Sequence, residues 1–247
     1  MTANARPDFA TDDDVERVLV VTAHPDDVDF GVAGSVAAWT AAGIDVTYCL
    51  VTDGEAGGDD RAMPRSEMAK IRQAEQRVAA GCVGVGDLRF LGYPDGRLEA
   101  GQGLRHDLSR VIRQVRPQRV VTQSPDRLWD RIYASHPDHL AAGEATTCAV
   151  YPDARNPFAH RELLDVEGLE PWTVAQLWLM ATEQPNTWVD TTDSMDRKIR
   201  ALHSHASQMS DPAGIEQRVR EWAAMNARAA GFPGGRAAEG FRAVDTR

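Results

Sequence analysis

The sequence predicts an α/β protein, a doubly wound, mostly parallel sheet with helices on both faces. Short apolar runs rich in β-branched residues recur, as in Val18-Leu19-Val20-Val21 and Arg119-Val120-Val121-Thr122, without the polar alternation of a half-exposed strand. Longer segments of helical character separate them, and several close on Gly or Pro. Polar, chemistry-bearing residues follow the strands directly, as expected where ligands gather at the carboxyl ends of parallel strands.

Taken in order, residues 1–15, with Asp12-Asp13-Asp14, read as a loose leader, and residues 16–247 as a single domain. The first strand runs from Val18 to Thr22-Ala23 and hands over to His24-Pro25-Asp26-Asp27, because Pro25 has no N–H for a ladder. A helix over 32–42 stops at Gly43. A second strand over 45–52 implies a right-handed parallel crossover and opens into an acidic, glycine-rich loop, 53–60. Neither a G-x-G-x-x-G fingerprint nor a P-loop occurs, which argues against a dinucleotide site. A charged amphipathic helix over 66–80 and a brief strand over 89–91 follow, the strand running into the turn Gly92-Tyr93-Pro94-Asp95-Gly96. A helix over 104–115 ends before Pro117, and a fourth strand spans 119–122. The polar loop after it delivers Ser135-His136-Pro137-Asp138-His139 to the start of a helix through 150. Residues 151–171, long and proline-punctuated, read as a binding wall, with Trp129, Trp172 and Trp188 available to stack on a ligand ring. A strand over 176–181, an edge strand over 187–190 and helices over 193–209 and 215–230 complete the chain, the last closed by Phe232-Pro233-Gly234-Gly235.

Lys and Arg number 27 against 37 Asp and Glu, a net charge of −10, which repels phosphate backbones and anionic lipid. No apolar run approaches the ~20 residues of a membrane span. The expectation is a cytoplasmic protein acting on a small molecule, with no nucleic-acid or membrane partner and with self-association open. The three cysteines are widely spaced and form no C-x-x-C pair, so neither a thiolate zinc site nor a disulfide framework is indicated.

Two H-P-D stretches carry the chemistry. A catalytic zinc site takes three protein ligands and leaves a position for water. His24 and Asp27, three apart on one turn, and His139 from the second stretch would complete a His₂Asp set suited to Zn²⁺, with Fe²⁺ also compatible. Asp26 is then placed to take a proton from an activated water. A protonated His136 could hold a developing oxyanion and release the amine, with Asp138 orienting its ring. These parts describe metal-assisted amide hydrolysis.

The pair Ala23-His24-Pro25-Asp26-Asp27 and His136-Pro137-Asp138-His139 resembles the LmbE-like, or PIG-L, de-N-acetylases. So do Thr52-Asp53-Gly54-Glu55, Arg72-x-x-Glu75, the stretch from Phe90 to Gly96, and Lys198-x-x-Ala201-Leu202-x-x-His205-x-Ser207-Gln208. The resemblance spans roughly residues 17 to 210. It implies a Rossmann-like fold and removal of an N-acetyl group from an amino sugar or small sugar conjugate. It implies His24, Asp27 and His139 as zinc ligands, Asp26 as base, His136 as acid and Asp138 as its orienting partner. By the same resemblance Arg72 and Asp95 would contact sugar hydroxyls. The sequence departs from the family where many members carry Glu after the two aspartates: here it is Val28, with Asp29 next. Some sugar deacetylases place a tyrosine where Ala134 stands, and Tyr133 lies one residue away. Two alternatives compete: an amidase for a larger amide, such as a mycothiol-type thiol conjugate, and a non-catalytic sugar-binding protein of the same fold.

Overall fold

The computed structural model describes residues 7–247. Its strands are β1 (Arg17–Thr22), β2 (Asp45–Thr52), β3 (Asp87–Tyr93), β4 (Arg119–Gln123), β5 (Gln176–Met180), β6 (Thr187–Asp190) and β7 (Ala238–Asp245). They form one sheet in the order β3-β2-β1-β4-β5-β7-β6. β1 to β5 are mutually parallel, and β7 runs antiparallel to both β5 and β6. The helices are α1 (Asp27–Gly31), α2 (Ala33–Ala41), α3 (Arg65–Cys82), α4 (Gln102–Val115), α5 (Pro137–Cys148), α6 (Arg161–Asp165), α7 (Met195–His203) and α8 (Pro212–Ala229).

The unalternating strands are buried on both faces because each face carries its own helices. Val18 and Val20 of β1 join Tyr48, Leu50, Val36, Trp39 and Ala79 in one apolar cluster, with α2 and α3. Leu19 and Val21 point the other way, among Cys49, Leu104, Leu108 and Ala142, with α4 and α5. Period-two side-chain alternation in a doubly covered strand makes both sets apolar. Cys49 is a buried member of that second cluster, and all three cysteines are free thiols. Among the described residues no helix is long and apolar enough to cross a membrane.

Three sequence expectations change. β7 was not anticipated: its Glu239, Gly240 and Arg242 dilute the apolar pattern, and its place between β5 and β6 depends on partners from 48 or more residues away. Residues 151–171 are not an open wall. They include α6 and are drawn onto α4, where Arg105 grips Asp153 with two 2.8 Å bonds and Arg113 donates to the carbonyls of Ala154 and Asn156. The loose leader is also revised over the part that is described; residues 1–6 lie outside the described residues. Arg119 is fully buried and sits 3.8 Å over the Trp178 ring and 5.1 Å from Trp39. It reaches outward to Asp12 (2.7 Å) and the Thr11 carbonyl (2.8 Å), while Gln176 donates to Phe9. Ala10 is buried as a result.

A guanidinium desolvated between two indoles is well stabilised only while its hydrogen bonds are made. Arg119→Met is expected to lower unfolding free energy by about 2–3 kcal/mol in urea titration. Protease cleavage in residues 9–15 should rise in parallel. An unchanged denaturation midpoint would contradict this account.

Candidate metal and catalytic site

The order of the strands reverses between β1 and β4, and the residues following those two strands meet in the crevice this creates. His24 follows β1, Gly54 and Glu55 follow β2, Asp95 follows β3, and the His136–His139 stretch enters α5 after β4. Gln123, the last residue of β4, accepts the Ala23 N–H at 3.0 Å and ties the two strand ends together. α5 lies so close over β4 that a Cβ on Gly143 would collide with the Gln123 carbonyl; only glycine allows that approach.

The structure brings together His24, Asp27, His136 and His139. Imidazole nitrogens of the three histidines lie within 4.8 Å of one another. The Asp27 carboxylate stands between two of them, Oδ2 at 3.2 Å from His24 Nδ1 and Oδ1 at 3.0 Å from His139 Nε2. Oδ2 also accepts the His24 backbone N–H at 2.7 Å, so the turn itself aims the carboxylate. Tetrahedral zinc at ~2.0–2.1 Å from each ligand separates ligand atoms by roughly 3.3 Å, close to these spacings. The outer ring nitrogens are also occupied. His24 Nε2 faces Asp95 Oδ1 (3.1 Å) and Asp138 Oδ2 (3.2 Å), and His139 Nδ1 faces the Ala134 carbonyl (3.4 Å). An oxygen partner on the far nitrogen sets the tautomer and frees the near nitrogen, the arrangement that metal-binding histidines need. The residues present fit a divalent metal ion.

A family model for the GlcNAc-PI de-N-acetylases, PIG-L, matches residues 19–150. The chain belongs to this family. It is 35% identical over 202 residues to diacetylchitobiose deacetylase of Thermococcus kodakarensis, covering 80% of this chain and 72% of that one. It is 30% identical over 208 residues to a probable N-acetyl-alpha-D-glucosaminyl L-malate deacetylase of Bacillus anthracis, covering 78% and 82%. The solved structure of N,N'-diacetylchitobiose deacetylase from Pyrococcus horikoshii superposes with a TM-score of 0.87 at 31% identity, over 95% of this chain and 86% of that one.

Three of the roles expected for this PIG-L chain do not match the contacts. The Asp138 carboxylate does not orient His136. It bonds His24 and the backbone N–H groups of Gly96 (2.7 Å) and Leu98 (3.1 Å), because α5 turns it inward, 1% exposed. Asp95 is likewise spent, one oxygen on His24 and the other accepting Ala56 N–H at 2.9 Å. Arg72 is 5% exposed and donates to the carbonyls of Pro25 (2.6 Å) and Gly54 (2.9 Å), with Asp26 Oδ2 at 3.3 Å. The contacts that Arg72 and Asp95 make are thus to the site's own turns and to His24 and Asp26.

The electrostatics follow from this crowding. Burial alone lowers the His24 pKa, but Asp27, Asp138 and Asp95 outweigh it and push it up to about 12, so the position strongly favours positive charge. Asp27 stays well below the usual carboxylate range, because the pull of His139 and His24 exceeds the effect of its burial. Asp26 moves the other way: burial, helped by the charge of Asp27 and opposed by Arg72, raises it to about 6. His136 is lowered by burial and by the charge of His24, and its Nδ1 accepts the Asp138 backbone N–H at 3.2 Å. That hydrogen bond suits a neutral ring with its proton on Nε2, the form that the lowered pKa favours.

Beside the cluster opens a cleft of about 380 Å³, lined by Asp27, His139, Tyr133, Met180, Val219 and Trp222 among others. None of Trp129, Trp172 or Trp188 lines it; Trp222 does, from α8. Trp172 instead packs on the apolar cluster beneath α4 and α5. Val28, where family members often carry Glu, is wholly buried among apolar residues. The nearby carboxylate, Asp29, turns into the protein, where Oδ2 meets His205 Nε2 at 2.8 Å and Gln76 Nε2 at 2.9 Å. The signal for that contact was the H-x-S-Q pattern, which names no partner by itself.

Proposed function

We propose that the protein is a zinc-dependent hydrolase that removes the N-acetyl group from an amino sugar or small sugar conjugate. The observation that carries the reading is the pairing of His24 and His139, each with its outer nitrogen bound to oxygen and its inner nitrogen at Asp27, beside a carboxyl at about 6. Similarity to deacetylases of N-acetylated sugars supports it. His24 Nδ1, Asp27 and His139 Nε2 hold the ion. When bound, zinc lowers the pKa of water toward ~7 and polarises the acetyl carbonyl. Asp26 takes the proton from the attacking water and, poised near neutrality, returns it to the departing nitrogen. His136 points its Nε2–H at the carbonyl oxygen as negative charge develops there. The cleft below Trp222 receives the sugar, whose ring can lie against the indole face.

Two experiments test this. Acetate release is measured from a panel of N-acetylated glucosamines and bulkier thiol–sugar amides, after chelation and reloading with Zn²⁺ or Fe²⁺. Hydrolysis of the acetylated sugars, restored by Zn²⁺, is expected. Cleavage of the bulky amides alone selects the amidase reading, and binding without turnover selects a binding protein. In the second, His136→Ala is expected to lower kcat by about 10²–10³-fold, while His136→Gln, which keeps an N–H donor, loses less. Equal losses in the two variants would mean that His136 transfers a proton.

A further inference from the structure

Asp26 stands out by its backbone. It adopts φ 84° and ψ −29°, the left-handed region, although it is not glycine. Such a conformation costs roughly 1–3 kcal/mol and persists only where its surroundings over-determine it. The surroundings here are a buried hydrogen-bonded chain. The Asp26 N–H donates to Gln76 Oε1 at 2.7 Å. Gln76 Nε2 donates to Asp29 Oδ2 at 2.9 Å, and His205 Nε2 meets the same oxygen at 2.8 Å. Gln76, Asp29 and His205 are all 0% exposed.

α3 supplies the frame. Arg72 and Gln76, one turn apart on the same helical face, reach the same loop: Arg72 takes the Pro25 carbonyl and Gln76 takes the Asp26 N–H. Between them in sequence, Glu75 accepts the Ser207 N–H and hydroxyl, each at 2.7 Å, which seats the segment carrying His205. A glutamine amide fits this junction because one end accepts and the other donates, bridging an N–H to a carboxylate.

We propose that Gln76, Asp29 and His205 are positioning residues that hold Asp26 in its left-handed conformation and thereby aim its carboxylate at the reaction. None of the three touches substrate. The inference rests on the base role of Asp26 set out above, but the conformational part stands apart from any activity. Without Gln76, the peptide before Asp26 keeps only the Arg72 bond to its carbonyl, its N–H is left unpaired, and the residue relaxes toward negative φ. The carboxylate then moves while His24, Asp27 and His139 keep their places.

The test uses the full-length zinc-loaded protein with Gln76→Leu, His205→Leu and His205→Gln, the last keeping an N–H donor for Asp29. Gln76→Leu is expected to lower kcat by about 10–100-fold, with KM and zinc content per chain held near wild type. Its crystal structure should show Asp26 at negative φ. His205→Leu should reduce kcat in the same sense and His205→Gln should restore it. The proposal is overturned if Gln76→Leu keeps wild-type kcat with Asp26 still left-handed, or if its loss of activity follows loss of zinc. Should Gln76→Leu fail to fold, the His205 pair decides: equal kcat in both variants overturns the proposal. If wild type hydrolyses none of the amides, the deacetylase reading fails, and the φ of Asp26 in the variants still decides the conformational claim.

Discussion

Asp26→Asn is expected to lower kcat by about 10²–10⁴-fold while leaving zinc content unchanged. Asn cannot accept the water proton, yet it preserves the size of the side chain and its contact with Arg72. The wild-type rate should climb with pH through about 6 as Asp26 ionises, and that limb should vanish in the variant. The stability effect has the opposite sign. Burial raises the folded-state pKa of Asp26 to about 6, so the folded state binds this proton more tightly than the unfolded chain, whose carboxyl titrates near ~3.9. The contribution is therefore full below that unfolded value and is lost as pH rises through about 6. Asn stays neutral throughout. The metal-free variant should exceed metal-free wild type by on the order of 2–3 kcal/mol at pH 8, and match it at pH 3. A variant that is no more stable at pH 8 would show that Arg72 already neutralises the carboxylate.

Loss of a ligand should have the larger effect on metal. His139→Ala or Asp27→Ala is expected to weaken zinc binding by well over ~100-fold, because even partners behind the ligands typically cost 10–100-fold. Activity at limiting zinc should then be undetectable and recover only in part at high zinc. Competition with a chromogenic chelator reads the affinity directly. Asp95→Asn gives the graded comparison: it leaves all three ligands but weakens the oxygen partner of His24, so zinc affinity should fall by about 10–100-fold. An affinity unchanged in Asp27→Ala would move the third ligand to His136, whose ring nitrogen shares the same space.

The difference between ligand and supporting residue marks how far the chemistry was legible in sequence. His24, Asp27 and His139 could be named because a metal site needs particular donor types and the two H-P-D stretches each follow a strand. Asp138 and Asp95 were named as well but given other tasks. Which imidazole a buried carboxylate faces depends on how α5 is rotated against β1 and on where the turn after β3 comes to rest. Neither angle is written in local spacing. The same holds for Arg72, which in sequence is one charge among several on an amphipathic helix and in the structure lies against the turn at Pro25.

The strands β1, β2 and β4 were determined locally. The four-residue apolar runs of β1 and β2 and the Val120-Val121 pair of β4 suit strands covered on both faces, and the breakers Pro25 and Pro117 mark the end of β1 and the approach to β4. Helices over 32–42, 66–80 and 104–115 were likewise set by their periodicity and closing residues. β7 was not, because Glu239, Gly240 and Arg242 break up its apolar residues and the strand is held by cross-strand partners rather than by its own pattern. The wall of the cleft was not either. Trp222 lies in a helix nearly two hundred residues after His24, and only closure of α8 over the crevice makes it a neighbour. The sequence by itself named the candidate donors that meet at the site, since ligand chemistry depends on residue type. Tertiary structure decided which side chain stands behind which, since hydrogen bonds form between groups that packing, not chain order, brings within 3 Å.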